Sequence, residues 1–291
     1  MKNSRYVVVT PARDEEEHLA STIQAMADQS CRPHPWIIVN DGSTDRTAEI
    51  ADRASRDHPW IQTVHREDRG CRKPGGGVID AFYDGYELVS TGDWDFIVKL
   101  DADLSFEADY FESCFDRFRH EPDLGIGGGM VCSRIGEEMR KEGTHDPSFH
   151  VRGATKIYRR DCWFAIGELL RAPGWDTLDE IKANMLGWKT HPFPDLVLVQ
   201  HRPTGGAEGS WKDAEKNGRA NYIAGYHPLF MIAKCLKRLP RRPVVRQSVA
   251  LFWGYFGAWL RGVRRVDDPE LIAYLRKQQV RRLLFRDSLW S

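Results

Sequence analysis

Short apolar runs alternate along the first half of the chain with longer stretches whose apolar residues recur every three or four positions. The strand-like runs are Arg5–Thr10, Trp36–Asn40, Ile61–His65, Phe96–Leu100 and Gly125–Val131. Helical spacing occupies Glu15–Gln29, Arg46–Arg56, Gly77–Val89 and Phe106–Phe118. Alternation of this kind is typical of βαβ units. It predicts an α/β fold with a mostly parallel sheet flanked by helices.

The second half is patterned differently. Residues 134–150 are polar and lack periodicity, which predicts a mobile loop over a site. Residues 151–200 return to helix and strand, and residues 203–217 have the glycine content of a loop. Two apolar helical segments follow, Tyr222–Leu236 and Val244–Leu260. We therefore predict one domain over residues 1–215 and a C-terminal helical extension over residues 216–291.

Charge separates the same two parts of the 291-residue chain. The chain has 42 Lys and Arg residues and 42 Asp and Glu residues, but residues 216–291 contain 16 basic and only 4 acidic residues. An acidic front suits a metal or a hydroxyl-rich ligand, whereas a basic tail suits an anionic partner. The tail has aromatic residues next to Arg and Lys, so it either contacts an anionic membrane surface or packs on the domain or another subunit.

Composition excludes several classes of protein. Apolar runs are shorter than the roughly 20 residues that span a bilayer, so no transmembrane helix is predicted. The N-terminus has no signal-peptide pattern, and the six cysteines include no CxxC pair. These features favour a reducing cytoplasmic environment. No nucleic-acid-binding motif is present, and nucleic acid is not expected as a partner.

Polar residues follow three of the predicted strands. They are Thr10-Pro11-Ala12-Arg13-Asp14-Glu15, Asn40-Asp41-Gly42-Ser43-Thr44-Asp45 and Asp101-Ala102-Asp103. Ligands of open parallel sheets bind at the carboxyl ends of the strands. Two carboxylates at i and i+2 can both turn toward one hard cation such as Mg²⁺ or Mn²⁺, which shares its oxygen ligands with phosphates. We therefore expect a divalent-cation and phosphate site at this edge.

The three motifs VVVTPARDEE, IIVNDGSTDRT and DFIVKLDADLSF, in this order, resemble those of family 2 glycosyltransferases with the GT-A fold. The resemblance covers residues 5–205. It implies an inverting, metal-dependent enzyme that moves a sugar from a nucleotide-diphosphate sugar, with a UDP-sugar favoured, to a hydroxyl of a glycan or lipid-linked acceptor. Cell-surface polysaccharide or glycolipid synthesis would be its setting, at the inner face of the membrane if the tail is peripheral.

The resemblance also implies site residues. A nucleotide pocket would be formed by Thr10, Pro11, Arg13, Glu15, Asp41, Arg69, Lys73 and Asp101. Asp103, with Asp101, would ligate Mn²⁺ or Mg²⁺. His201, which follows the strand Leu196–Gln200, would add a ligand to the cation; alternatively it is a packed histidine, or the neighbouring Arg202 contacts phosphate. The chain has Arg13-Asp14 where the family often has Tyr-Asn.

Deprotonation of the acceptor hydroxyl requires a base. In the family an acidic pair stands at the start of an acceptor-side helix, and Asp179-Glu180 occupies such a place here. Asp179 is favoured as the base, with Glu180 and Asp176 as rivals; all three could instead only complement the helix dipole.

Two other functions stay open at this point. One is a sugar nucleotidyltransferase, although its Gly-rich loop after the first strand is replaced by PARDEE. The other is a non-catalytic, membrane-associated assembly protein that retains the fold.

Overall fold

A computed structural model describes residues 4–70, 76–89, 93–135, 138–143, 146–167, 169–202, 210–239 and 245–291. The strands are β1 (Tyr6–Ala12), β2 (Trp36–Asn40), β3 (Ile61–His65), β4 (Phe96–Leu100), β5 (Leu104–Phe106), β6 (Leu124–Ile135), β7 (Glu138–Lys141), β8 (Thr155–Arg159) and β9 (Lys189–Gln200). The helices are α1 (Leu19–Ala27), α2 (Thr47–Asp57), α3 (Gly76–Tyr86), α4 (Tyr110–His120), α5 (Arg160–Ile166), α6 (Trp175–Met185), α7 (Ser210–Ile223), α8 (Pro228–Arg238), α9 (Arg246–Leu260) and α10 (Pro269–Leu283).

The strands form one mixed sheet in the order β3-β2-β1-β4-β8-β6-β9-β5, with β7 paired to β6. Strands β1 to β4 pair in parallel, as the alternating pattern predicts. Beyond β4 the pairing is mixed, because β8 runs antiparallel to both β4 and β6 while β9 runs parallel to β6. Strands β1, β2, β4 and β9 consequently end at the same edge.

Apolar strand faces explain the two main cores. Val8, Ile38 and Val98 pack on one face with α1 and α4, whereas Val7, Val9 and Ile97 pack on the other with α3. Because β1, β2 and β4 are buried on both faces, their sequences are continuous apolar runs rather than alternating ones.

Several local predictions are wrong. Residues 138–141 of the expected loop form β7, which pairs with β6 in a hairpin. Helix α7 begins at Ser210, within the stretch expected to be a loop. The segment Tyr222–Leu236 is two helices, since α7 ends at Ile223 and α8 begins at Pro228, whose fixed backbone suits the first turn of a helix. Strand β5 and helix α10 have no counterpart among the predicted elements.

The C-terminal helices share a core with the sheet-containing part. This third core joins Leu178 and Ile181 of α6 to Met231, Leu251 and Leu271 of the extension. Lys182 of α6 also donates to Asp268, which caps α10, over 3.0 Å. The predicted domain boundary at residue 215 falls inside α7. None of the helices that the structure describes is long and apolar enough to cross a bilayer.

Two glycines allow α7 and α9 to touch through their backbones. A Cβ added to Gly218 would lie 2.1 Å from the Leu251 carbonyl oxygen, and one added to Gly254 would lie 2.0 Å from that of Glu215. Even alanine at either position would force the two helices apart. This contact fixes α9 against α7 and so fixes the shape of the extension.

Candidate active site

A cleft of 1610 Å³ opens where β1, β2, β4 and β9 end. One end of it is formed by the loops after these strands and contains Pro11, Arg13, Glu15, Asp41, Asp101, Asp103, Gln200 and Arg202. The opposite end is formed by α7, α8 and α10. Helix α6 enters between them with Asp176 facing the cleft.

Asp41 organises the outer part of the strand-end wall. Its two carboxylate oxygens accept hydrogen bonds from Arg66 Nη1 at 2.6 Å and Arg69 Nη2 at 2.5 Å. Arg13 donates to the Asp41 carbonyl oxygen at 2.7 Å and to Asp68 Oδ1 at 2.7 Å. The hydrogen bond to Asp68 raises the pKa of Arg13 further above its ordinary value. These charge-assisted hydrogen bonds hold Arg13 in the cleft wall and hold Arg66 and Arg69 behind Asp41.

Glu15 and Thr10 have different positions. The Glu15 carboxylate is buried and contacts Arg202, which comes from the turn after β9. Thr10 is fully buried, and its hydroxyl accepts a hydrogen bond from the Trp36 indole at 2.9 Å. Thr10 therefore faces the sheet core, whereas Glu15 lies in the cleft wall.

Asp101 and Asp103 lie side by side in the cleft. Asp103 is almost fully buried and accepts a hydrogen bond from Gln200 Nε2 at 3.2 Å. Burial, reinforced by the Asp101 charge, raises the pKa of Asp103 to about 6. Asp101 contacts the ammonium group of Lys99, which also donates to the Gly153 carbonyl oxygen at 2.6 Å. A second cation near this pair would relieve the repulsion between the carboxylates.

The chemistry of this pair fits a shared divalent cation. Among the residues that the structure describes, no group of three His, Cys, Asp or Glu side chains could hold a metal ion. Asp101 and Asp103 would supply protein oxygens, with phosphate and water completing the octahedral shell that Mg²⁺ or Mn²⁺ prefers. His201 does not line the cleft; its ring stacks on His18, and its Nε2 lies 3.1 Å from Ser105 Oγ.

Asp176 presents its side chain to the cleft from the first turn of α6. The helix begins after Gly174, whose φ of +87° is a left-handed conformation that favours glycine. The Asp176 carbonyl oxygen accepts a hydrogen bond from the buried ammonium of Lys156. The position of Asp176 is therefore fixed through its backbone, while its carboxylate stays accessible.

Asp179 and Glu180 lie behind this wall, with side chains 1% and 0% exposed. Asp179 pairs with Lys156 Nζ at 2.9 Å and accepts a hydrogen bond from Tyr158 OH at 2.6 Å. Glu180 also pairs with Lys156, and it contacts His150 Nδ1 at 2.8 Å. Burial raises the pKa of Asp179 to about 6, although Lys156 opposes the shift. Neither carboxylate is open to an acceptor.

Trp175 links the two halves of the site. The ammonium groups of Lys99 and Lys156 both lie 5.5 Å from the centre of its ring, within the range of cation–π attraction. Lys99 contacts Asp101 and Lys156 contacts the Asp176 backbone. One aromatic ring thus ties the strand-end carboxylates to helix α6.

Comparison with known proteins assigns the family. The sequence pattern of glycosyl transferase family 2 matches residues 7–170, more than half of the chain. The chain belongs to glycosyl transferase family 2. The expected family is thereby confirmed. In this family 2 chain the matched region ends before α6, so the pattern does not cover Asp176.

Solved structures confirm the GT-A fold. Mannosyltransferase PcManGT from Pyrobaculum calidifontis, in complex with GDP-Man and Mn²⁺, aligns with a TM-score of 0.56 at 15% identity, over 98% of this chain and 89% of that one. TarS residues 1–349 from Staphylococcus aureus aligns with a TM-score of 0.56 at 14% identity, over 97% and 86% of the two chains. TarS has also been solved with UDP-GlcNAc and with UDP.

Curated relatives are polysaccharide synthases. Poly-beta-1,6-N-acetyl-D-glucosamine synthase of Staphylococcus aureus strain COL is 28% identical over 83% of this chain, and that of strain MSSA476 is 32% identical over 75%. The chain spans 60% and 55% of the length of these two relatives.

The structure brings most of the predicted site residues into one cleft. Pro11, Arg13, Glu15, Asp41, Asp101, Asp103 and Asp176 line it, and Arg69 reaches it through Asp41. Thr10, Asp179, Glu180 and His201 do not line it, and Lys73 lies outside the described residues. Their roles, and those of the lining residues, stay predictions.

Sequence reasoning did not find Lys99, Lys156 and Trp175. Lys99 and Lys156 interrupt the apolar runs of buried strands, which is a signal for a paired charge, since an isolated buried ammonium is costly. Nothing in the spacing shows that Trp175 would lie near both.

His150 should make stability depend on pH. Burial alone would lower its pKa, but Glu180 raises the pKa above its ordinary value. The ion pair therefore stabilises the fold fully below about pH 6.5, and this contribution is lost as pH rises through the folded-state pKa. Urea unfolding of wild type and His150→Gln at pH 6 and pH 9 should show a larger free-energy difference at pH 6. An equal difference at both pH values would contradict this role.

Proposed function

We propose that this chain is an inverting, metal-dependent glycosyltransferase. It would transfer a sugar, with N-acetylhexosamine or hexose favoured, from a UDP-sugar to a hydroxyl of a glycan or lipid-linked acceptor. One observation carries the proposal: the carboxylates Asp101 and Asp103 and the accessible carboxylate Asp176 line a single cleft at the carboxyl ends of the parallel strands. Relatives that make poly-beta-1,6-N-acetyl-D-glucosamine support the sugar class and a role in cell-surface polysaccharide synthesis.

The donor would bind at the strand-end wall. Asp41, held by Arg66 and Arg69, would face the nucleotide base, and Arg13 would shape the pocket beside it. Asp101 and Asp103 would hold Mn²⁺ or Mg²⁺. A bound cation supplies charge neutralisation for the departing diphosphate.

Asp176 is the residue that we propose as the base, in preference to Asp179 and Glu180. The acceptor oxygen would attack the anomeric carbon as the bond from that carbon to the diphosphate breaks. The hydroxyl proton would pass to the Asp176 carboxylate, and the diphosphate would leave with the bonding electrons. A single displacement inverts the configuration at the anomeric carbon. We prefer Asp176 because its carboxylate is accessible from the cleft. Asp179 and Glu180 are buried and already paired with Lys156, Tyr158 and His150.

The extension would place the enzyme at an anionic membrane surface, consistent with a cytoplasmic, peripheral location. Large apolar side chains are exposed on the outer side of α8 and α9: Leu229, Leu236, Phe252, Trp253, Trp259 and Leu260. Exposed Arg246, Arg261 and Arg264 flank them. Tryptophan next to basic residues suits the headgroup region of anionic lipids.

Removing Asp103 should abolish cation-dependent donor binding. In Asp103→Ala, the thermal shift produced by UDP with Mn²⁺ should disappear, because binding to the folded state alone raises its apparent stability. Asp109→Ala, at an exposed position before α4, is the matched control. If Asp103→Ala keeps a wild-type, Mn²⁺-dependent shift, the cation site lies elsewhere.

Asp176→Asn should remove turnover while UDP-sugar binding stays intact, since the amide fills the same space but cannot accept the proton. Loss of a general base typically costs about 10²–10⁴-fold in rate. Asp179→Asn should instead lower the free energy of unfolding, because Lys156 loses a buried partner. Measured sugar transfer, donor affinity and urea unfolding of both variants separate the two roles. Near-normal turnover of Asp176→Asn would assign the base to another residue.

Replacing both Trp253 and Trp259 by Ala should release the protein from vesicles that contain phosphatidylserine, as measured by co-sedimentation. Phe164→Ala, at a comparably exposed site on α5, should leave binding unchanged. Absence of wild-type binding to such vesicles would reject the membrane role and favour packing against a protein partner.

A further inference from the structure

The far end of the cleft is basic. Among the described residues, five basic side chains from three helices line it: Lys216, Lys234, Lys237, Arg238 and Arg282. The same lining contains the acidic residues Asp146, Asp176 and Asp213. The strand-end wall carries both signs of charge, with Glu15, Asp41, Asp101 and Asp103 beside Arg13, Lys99 and Arg202. The predominantly basic part of the lining is therefore the part formed by α7, α8 and α10.

Lys234 has a neutral hydrogen-bond partner and an aromatic neighbour. Its ammonium lies 3.5 Å from the Asn221 side-chain oxygen and 5.1 Å from the centre of the Tyr226 ring. Within the described part of the chain, no carboxylate comes within ion-pair distance of Lys234, Lys237 or Arg282. Burial and neighbouring Arg238 lower the pKa of Lys234 to about 8. A buried cation such as Lys234, which has another cation beside it and no carboxylate at ion-pair distance in the described part of the chain, forms a site that an anion would stabilise.

An aromatic wall adjoins these cations. Phe230 and Trp290 line the cleft with ring centres 5.6 Å apart, and Tyr226 packs against both. Flat aromatic surfaces are apolar and match the faces of sugar rings, while the cations next to them match a charged substituent. The wall and the cations together describe a ligand that is part carbohydrate and part anion.

Helix α8 supplies most of this surface through its spacing. Phe230, Lys234 and Lys237 stand at i, i+4 and i+7, so they share the face that looks into the cleft. Leu229, Ile232 and Leu236 are exposed on the other side of the helix. The basic residues are thus directed into the cleft rather than spread around the helix.

We propose that the basic end of the cleft is an acceptor subsite for phosphate, and that the acceptor is a phosphorylated glycan or glycolipid. The inference rests on the proposed transferase function and names its substrate class. Lys234, Lys237 and Arg282 bind the phosphate, and the aromatic wall contacts the adjoining sugar. The acceptor hydroxyl then lies toward Asp176, between the phosphate and the donor.

Inorganic phosphate is the probe for this subsite. It is titrated by calorimetry into protein saturated with UDP and Mg²⁺, so that the donor site is occupied. We expect binding to weaken about tenfold in Lys234→Met and in Lys237→Met, since each removes one charge-assisted contact. Lys277→Met, an exposed lysine of α10 that does not line the cleft, should leave phosphate affinity unchanged.

The outcome for UDP keeps the two proposals distinguishable. Unchanged UDP affinity in the lysine variants shows that they are folded and that the basic end is separate from the donor site. Phosphate affinity equal to wild type in both variants, or no phosphate binding by the wild type, overturns the subsite. Weakened UDP binding also overturns it, because the cations would then belong to the donor. If UDP fails to bind at all, the transferase proposal fails, and titration of nucleotide-free protein still tests the subsite.

The same site can receive phosphate from a lipid or from a soluble glycan. Vesicles of phosphatidylcholine with phosphatidic acid, compared with phosphatidylcholine alone, are added during the phosphate titration. Competition that depends on Lys234 and on phosphatidic acid supports a lipid-linked acceptor. Lys234-dependent phosphate binding without competition supports a soluble phosphorylated glycan.

Discussion

The site depends on the ion pairs and the hydrogen bond made by the buried ammonium group of Lys156. This group lies among Asp179, Glu180 and the Asp176 carbonyl oxygen, and it joins β8 to helix α6. Moving such charges out of water is costly, so each is tolerated only while its partners stay in place. Loss of one partner would leave an uncompensated buried charge, an effect of about 3–5 kcal/mol. The network therefore keeps α6 in one position, and the cleft takes its shape from that position.

The parallel half of the fold follows closely from the sequence, because continuous apolar runs and polar strand ends reflect burial and ligand binding directly. Strand β8 and the long β9 are set by pairing across the sheet, and a local pattern does not encode their neighbours. The choice between Asp176 and Asp179 has the same origin. Both stand in the first turns of one helix, and only the tertiary position of Lys156 shows that Asp179 is buried. The third core likewise depends on contacts between elements that are distant in sequence, since Leu271 and Leu275 of α10 pack with residues of α6 and α8.

The extension forms part of the cleft wall and also carries the surface proposed to contact a membrane. Its helices close one end of the cleft and share a core with α6, so the surface that would meet a membrane and the surface that would hold an acceptor belong to the same few elements. Helix α8 shows this most directly, with apolar residues outward and cations inward. A substrate with an apolar anchor and a charged head would meet both faces in succession.

The close approach of Gly218 to the Leu251 backbone, and of Gly254 to the Glu215 backbone, has a consequence for redesign. A side chain cannot be added at this crossing, so the two helices cannot be varied independently of each other. Single substitutions can alter the cleft-facing residues of α8 and α10, because these helices do not take part in this crossing. Helices α7 and α9, in contrast, must be exchanged together. Chimaeras that aim to transplant acceptor preference between related transferases should therefore place their junction before α7 and carry both glycines across.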